Sequence, residues 1–142
     1  MIAVDSSAVI ALLLREPNAR RILDALTESE SLLAPALMPY EVLNALHAAV
    51  RHDRLAEEGV GRCLAHYLQF PWALDIHSSS SRLRDVSRLA ARHGLSAYDA
   101  AFLEIALRHG CPLVTLDAAL REAAVAELVE VRPKVADRPS PR

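Results

Sequence analysis

Apolar positions along this chain follow two rhythms. Five short, nearly continuous apolar runs, Ile2–Val4, Ser31–Ala34, Trp72–Ile76, Pro112–Leu116 and Leu128–Val131, have the length of strands buried on both faces. Between them the apolar residues recur every three or four positions, which predicts helices. These run from about Ser7 to Arg15, Asn18 to Leu26, Tyr40 to His52, Leu55 to Leu68, Ala97 to Arg108 and Ala118 to Ala124, with a further one after the serines Ser78–Ser81. Val42, Leu43, Leu46 and Val50 share one face of the third helix. Pro17 and Pro39 stand where helices begin, because proline suits the first turn. Gly94 and Gly110 each follow a histidine and read as helix stops, while Gly59 and Gly61 weaken the helix that contains them.

Strands alternating with helices predict a parallel sheet covered on both faces. The expected fold class is α/β: a three-layer α/β/α domain over residues 1–132, with a central parallel sheet of four to five strands. From Pro133 the sequence turns polar and proline-rich, so 133–142 reads as a flexible C-terminal tail.

Composition narrows the class. A chain of 142 residues can bury a core without disulfides or metals, and its 52% hydrophobic residues with a mean hydropathy of +0.15 could be absorbed by a two- or three-layer α/β core or by a subunit interface. The longest apolar stretch, Ala8–Leu14, is too short to cross a bilayer, and the N-terminus lacks a signal-peptide pattern. A cytoplasmic location is therefore expected. Cys63 and Cys111 have no metal-ligand spacing and read as buried thiols. The net charge of −2 and pI of about 6.3 are not the bulk signature of a nucleic-acid binder. Yet Lys134 is the only lysine among 16 basic residues, and arginine grips phosphate through a planar fork.

Candidate chemistry rests on four acids: Asp5, Glu41, Asp99 and Asp117. Asp5 and Asp117 follow predicted strands, whose carboxyl ends open on one edge of a parallel sheet, where such sheets bind ligands. Glu41 and Asp99 begin amphipathic helices that must pack on that sheet. Each acid alone could serve as a helix cap or dipole partner. As a set they would repel one another unless a cation neutralised them, and an all-oxygen site suits Mg²⁺ or Mn²⁺ and phosphodiester chemistry. Ser6 and Thr115 could supply hydrogen bonds to those ligands. Other chemistries are weak. The six histidines form no zinc spacing, no serine sits in a nucleophile elbow, and four glycines build no phosphate loop.

Taken in order, Asp5-Ser6-Ser7, Tyr40-Glu41-Val42 with Asn44-Ala45-Leu46, Ser96-Ala97-Tyr98-Asp99-Ala100 and Val114-Thr115-Leu116-Asp117 resemble the motifs of PIN domains, most closely VapC toxins of toxin–antitoxin pairs. The resemblance spans Ile2 to about Val131. It implies an α/β/α fold, a Mg²⁺- or Mn²⁺-dependent endoribonuclease acting on RNA, a homodimer, and a VapB-like antitoxin that covers the active site. By position, Asp5, Glu41 and Asp99 correspond to the family's core metal ligands, and Asp117 to a more variable fourth acid. The alternatives are an RNA-processing PIN nuclease without an antitoxin, and a non-catalytic PIN module that binds RNA or protein.

Overall fold

The computed structural model describes residues 1–134. Five strands form one parallel sheet: β1 (Ile2–Val4), β2 (Leu32–Pro35), β3 (Trp72–Asp75), β4 (Leu113–Val114) and β5 (Val131–Arg132). Their order across the sheet is β3-β2-β1-β4-β5, with Ala3 opposite Leu33 on one side and Leu113 on the other. Central β1 and β4 are wholly buried, whereas edge strand β3 is only half-buried. The expected parallel α/β sheet of four to five strands is present, with five.

Seven helices connect the strands: α1 (Ser6–Leu13), α2 (Ala19–Thr27), α3 (Met38–Arg51), α4 (Glu57–Tyr67), α5 (Ser80–His93), α6 (Ala97–His109) and α7 (Ala118–Ala126). α1 packs on α2, α3 and α4 in one layer. α6 lies across β2, β1 and β4 and touches α5 and α7 in the other. Phe102, Leu103 and Ile105 press α6 onto the sheet, which explains why this helix is apolar on nearly all sides. Cys63 and Cys111 are both buried, as expected.

Five of the helices stop in one way. A residue in the left-handed region turns the chain, and the next N–H donates to a carbonyl five residues back. Gly94 and Gly110 do this as foreseen, followed by the Leu95 N to Ala90 O and Cys111 N to Ala106 O bonds. Arg15, Asp53 and Leu128 do it without glycine, at φ of 54°, 55° and 61°. Leu128 corrects one expectation. Rather than opening the last strand it is the stop of α7, sealed by the Val129 N to Ala124 O bond, and it is 94% exposed. The last strand therefore begins only at Val131.

No described helix is long and apolar enough to cross a membrane.

Candidate active site

The strand order turns around between β1 and β4: β1 leads outward to β2 and β3, and the chain then crosses back to β4 and β5. At such a switch point the loops leaving neighbouring strands diverge and open a crevice beyond their carboxyl ends. Asp5 is the first residue after β1, and Thr115 the first after β4.

Asp5 is 2% exposed and does not cap α1 through its side chain. Two hydroxyls converge instead on its Oδ2. Ser7 donates from 2.5 Å and Thr115 from 2.7 Å. Each hydroxyl accepts in turn from a backbone N–H of the β4–α7 turn, Leu116 N on Ser7 Oγ at 3.1 Å and Asp117 N on Thr115 Oγ1 at 3.0 Å. Such chains polarise one another and fix the carboxylate plane. Oδ1 is left with only Ser6 Oγ, at 3.4 Å, so its lone pairs are the available ones. Burial pushes the Asp5 carboxyl up from its ordinary value; the Ser7 and Thr115 hydrogen bonds oppose this, and repulsion from Asp99 and Asp117 adds to it.

Glu41 enters from the first turn of α3, placed there by Pro39 at the helix start. Its Oε2 is buried and has no hydrogen-bond partner. Burial raises its carboxyl above the ordinary value, Ser6 lowers it, and Asp5 and Asp99 push it up again. Asp5 and Asp99 thus lie near enough to Glu41 to act on it through charge, and Asp99 and Asp117 near enough to act on Asp5.

The other two acids have local structural duties. Ser96 caps α6, accepting from Asp99 N at 3.0 Å and donating to Asp99 Oδ2 at 2.7 Å. Asp117 caps α7 by accepting from Leu120 N at 2.7 Å through Oδ1. Among the described residues, no three His, Cys, Asp or Glu side chains are gathered closely enough, as they stand, to enclose a cation. The donor chemistry nevertheless suits a hard divalent ion. Every acid is an oxygen donor, Asp5 keeps one oxygen lightly used, and the orphaned Glu41 Oε2 lacks only a positive partner.

Sequence reasoning foresaw the Thr115 contact and Ser6 at the centre. It missed Ser7, which binds Asp5 more tightly than either. The signal was its place one residue into α1, where its hydroxyl can turn back to the preceding turn. Also unforeseen is an ion network at the end of β3. Arg82 Nη1 lies 2.9 Å from Asp75 Oδ1 and 3.0 Å from Oδ2, and Arg108 joins Asp75 to buried Glu104. It ties α5 and α6 to the sheet edge next to the site.

With this geometry, comparison with known proteins is informative. Residues 2–126 match the PIN domain model, and the chain belongs to the PIN-domain family. Its relatives set it on the VapC branch. Ribonuclease VapC3 of Pyrobaculum aerophilum is 35% identical over 121 residues, covering 85% of this chain and 92% of that protein. Ribonuclease VapC9 of Mycobacterium tuberculosis is 30% identical over 128 residues, 89% of this chain and 94% of its own. Among solved structures, PAE2754 from Pyrobaculum aerophilum is similar with a TM-score of 0.65 at 30% identity, covering 86% of this chain and 78% of that one. FitAcB from Neisseria gonorrhoeae shares the fold, with a TM-score of 0.54 at 21% identity over 92% of this chain and 96% of that one.

Proposed function

We propose that this protein is an endoribonuclease that works with Mg²⁺ or Mn²⁺ and serves as the toxin of a VapBC-type pair. The observation that carries the reading is the pairing of Asp5 with Glu41. A buried Asp5 and a half-buried Glu41, whose carboxylates repel each other, are held at a sheet switch point, one with a spare oxygen and the other with a buried, orphaned one. A fold that only needed stability would place a neutral or paired side chain at either position. The names of the ribonuclease relatives support the same reaction.

Asp5, Glu41 and Asp99 would hold the cation, with Asp117 beside them. When bound, the ion supplies Lewis-acid activation of water and neutralises charge on the phosphate oxygens. The chain's own residues prepare that site. Ser7 and Thr115 fix the Asp5 plane through Oδ2 and leave Oδ1 lightly used. The α3 N-terminus favours the charged form of Glu41 in its first turn, and the α6 first turn carries Asp99. Ser6 has one hydroxyl proton to share between Asp5 Oδ1, 3.4 Å away, and Glu41, and it favours the charged form of the acid it donates to.

An antitoxin that silences such a negative pocket would insert an arginine or lysine to pair with the acids in place of the cation. Replacing that basic residue with alanine is then expected to restore RNA cleavage. A homodimer belongs to the same reading, supported by the apolar excess of the chain, with Leu68 67% exposed at the end of α4. Residues 1–132 would act as one domain.

The test is cleavage of a mixed RNA pool with Mg²⁺, with Mn²⁺ and with excess EDTA, alongside Asp99→Asn. Chelation is expected to cost about a thousandfold or more in rate, since clustered carboxylates alone cannot activate water. Undiminished cleavage in EDTA would overturn the mechanism.

A further inference from the structure

Arg121 lies in the fourth position of α7, half-buried, and among the described residues it pairs with no carboxylate. Its setting is electrically unfavourable. Burial and the neighbouring Arg21 guanidinium hold its pKa below the ordinary arginine value, and the start of a helix disfavours a cation. A side chain kept only to cover the sheet would do better as leucine or methionine here. What the guanidinium holds is backbone. The two hydrogens of Nη2 go to two carbonyls, Thr115 O at 2.8 Å and Pro133 O at 3.0 Å.

The Thr115 carbonyl matters through the peptide unit it belongs to. β4 and β5 exchange backbone bonds as far as Thr115 N to Arg132 O at 3.0 Å, and past that bond the Arg121 side chain takes the Thr115 carbonyl. A trans peptide unit is planar, so its C=O and N–H point in opposite directions from one rigid plate. The N–H of this plate is that of Leu116, which donates to Ser7 Oγ at 3.1 Å. Ser7 in turn donates to Asp5 Oδ2. A cation on the carbonyl also polarises the peptide and makes its N–H the stronger donor. The Pro133 carbonyl fixes the guanidinium from the other side, anchoring it to the end of β5.

We propose that Arg121 is a positioning residue for RNA cleavage: by holding the Thr115–Leu116 peptide plane it aims the Leu116 N–H at Ser7, and so sets the direction of Asp5. This rests on the ribonuclease reading and extends the support of Asp5 to a residue whose side chain bonds none of the four acids.

The experiment is a double-mutant cycle of Arg121→Met and Ser7→Ala on RNA cleavage in Mg²⁺, with each variant first checked for folding by circular dichroism. Arg121→Met should lower kcat by about ten- to a hundredfold, the usual cost of disturbing what orients a metal-site ligand, with KM little changed. In the Ser7→Ala background the same substitution should cost clearly less, because the route to Asp5 is already cut. Independent sites would instead lose equally, to within about twofold. Arg121→Lys keeps the charge on a single ammonium and should fall between wild type and Arg121→Met; it carries the same cycle if the methionine variant does not fold. A readout apart from catalysis is NMR hydrogen exchange of the Leu116 amide in metal-free protein, which should quicken in Arg121→Met. Three results would each overturn the inference while the ribonuclease reading stands: equal losses in both backgrounds, unchanged Leu116 exchange, or a loss confined to KM that shrinks at high salt, as a phosphate contact would give. A wild type that cuts no RNA in Mg²⁺ or Mn²⁺ overturns both.

Discussion

The Thr115 hydroxyl donates to Asp5 Oδ2 at 2.7 Å, joining residues at the ends of β1 and β4 that lie 110 positions apart in the chain. The same hydroxyl accepts from Asp117 N, so one threonine orients the buried acid and shapes the turn that carries the fourth one.

Thr115→Val preserves shape and removes both bonds. It leaves Asp5 Oδ2 with Ser7 alone and the Asp117 N–H without its acceptor. The expected cost is about 2 kcal/mol in urea unfolding, the value of a buried hydrogen bond to a charged group. RNA cleavage should fall as well, because Asp5 loses its fixed plane. Thr115→Ser, which keeps the hydroxyl, should recover most of the activity. Equal activity in valine and serine variants would detach Thr115 from the site.

The raised carboxyls of Asp5 and Glu41 have a definite sign in stability. A carboxyl whose folded pKa lies above its unfolded value favours the fold most below the unfolded pKa, and that advantage is lost as pH rises through the folded one. Without divalent ion, Asp5→Asn should therefore raise the melting temperature at neutral pH and have little effect below the ordinary aspartate pKa of 3.8. The amide oxygen can still accept from Ser7 and Thr115. Mg²⁺ should stabilise wild type more than the variant, since only an ion that binds the folded form shifts the equilibrium. Calorimetry across pH in EDTA and in Mg²⁺ checks this, and a variant less stable at neutral pH would give Asp5 a structural role instead.

Asp75 behaves oppositely. Burial alone would raise its carboxyl, but the His77 N–H and the guanidiniums of Arg108 and Arg82 outweigh it and hold the group below its ordinary value. Its contribution is present above the unfolded pKa and disappears as pH falls through the folded one. Asp75→Asn should cost about 2 kcal/mol at pH 7, because Arg82 loses its charge partner and Arg108 is left with Glu104 alone. The difference from wild type should shrink in acid. Urea titrations at neutral and acidic pH read both numbers.

Several features of this molecule were legible because they are local. Ile2–Val4, the glycine stops at 94 and 110 and the four helix-initial acids are each written within a few residues. The order of strands is not local, but β-α alternation leaves few choices, and Asp5 and Asp117 were assigned to one edge without knowing that β1 and β4 are neighbours. What escaped were contacts made by ordinary residues in special places. Ser7 has no motif beyond following Ser6, and nothing in its neighbours shows that β4 will bring Leu116 N within 3.1 Å. The Asp75–Arg82–Arg108–Glu104 network spans three elements, and arginines are scattered along the whole chain. Leu128 misled because leucine favours neither a turn nor the left-handed region. The need to close α7 outweighed its preference.

That conflict predicts a stabilising change. A non-glycine residue in the left-handed region carries about 1 kcal/mol of strain, and the exposed Leu128 side chain gains nothing in return. Leu128→Gly should raise stability by a few tenths to about 1 kcal/mol, less what glycine adds to unfolded-state entropy. Gly110→Ala, at φ 56° with open space around it, should cost a similar amount. Thermal melts of the two variants should move in opposite directions.

The placement of β4 also governs when this molecule can act. Asp5, Glu41 and Asp99 all precede Leu113 in the chain, but until β4 pairs with β1 the first acid has neither its threonine donor nor the Leu116 N–H that polarises Ser7. A nascent or truncated chain ending before that strand carries three of the acids and an open sheet, without the clamp that aims Asp5. For a protein whose product is a cut RNA, translation itself then acts as a timer: the blade is complete only once β4 has been made and paired with β1.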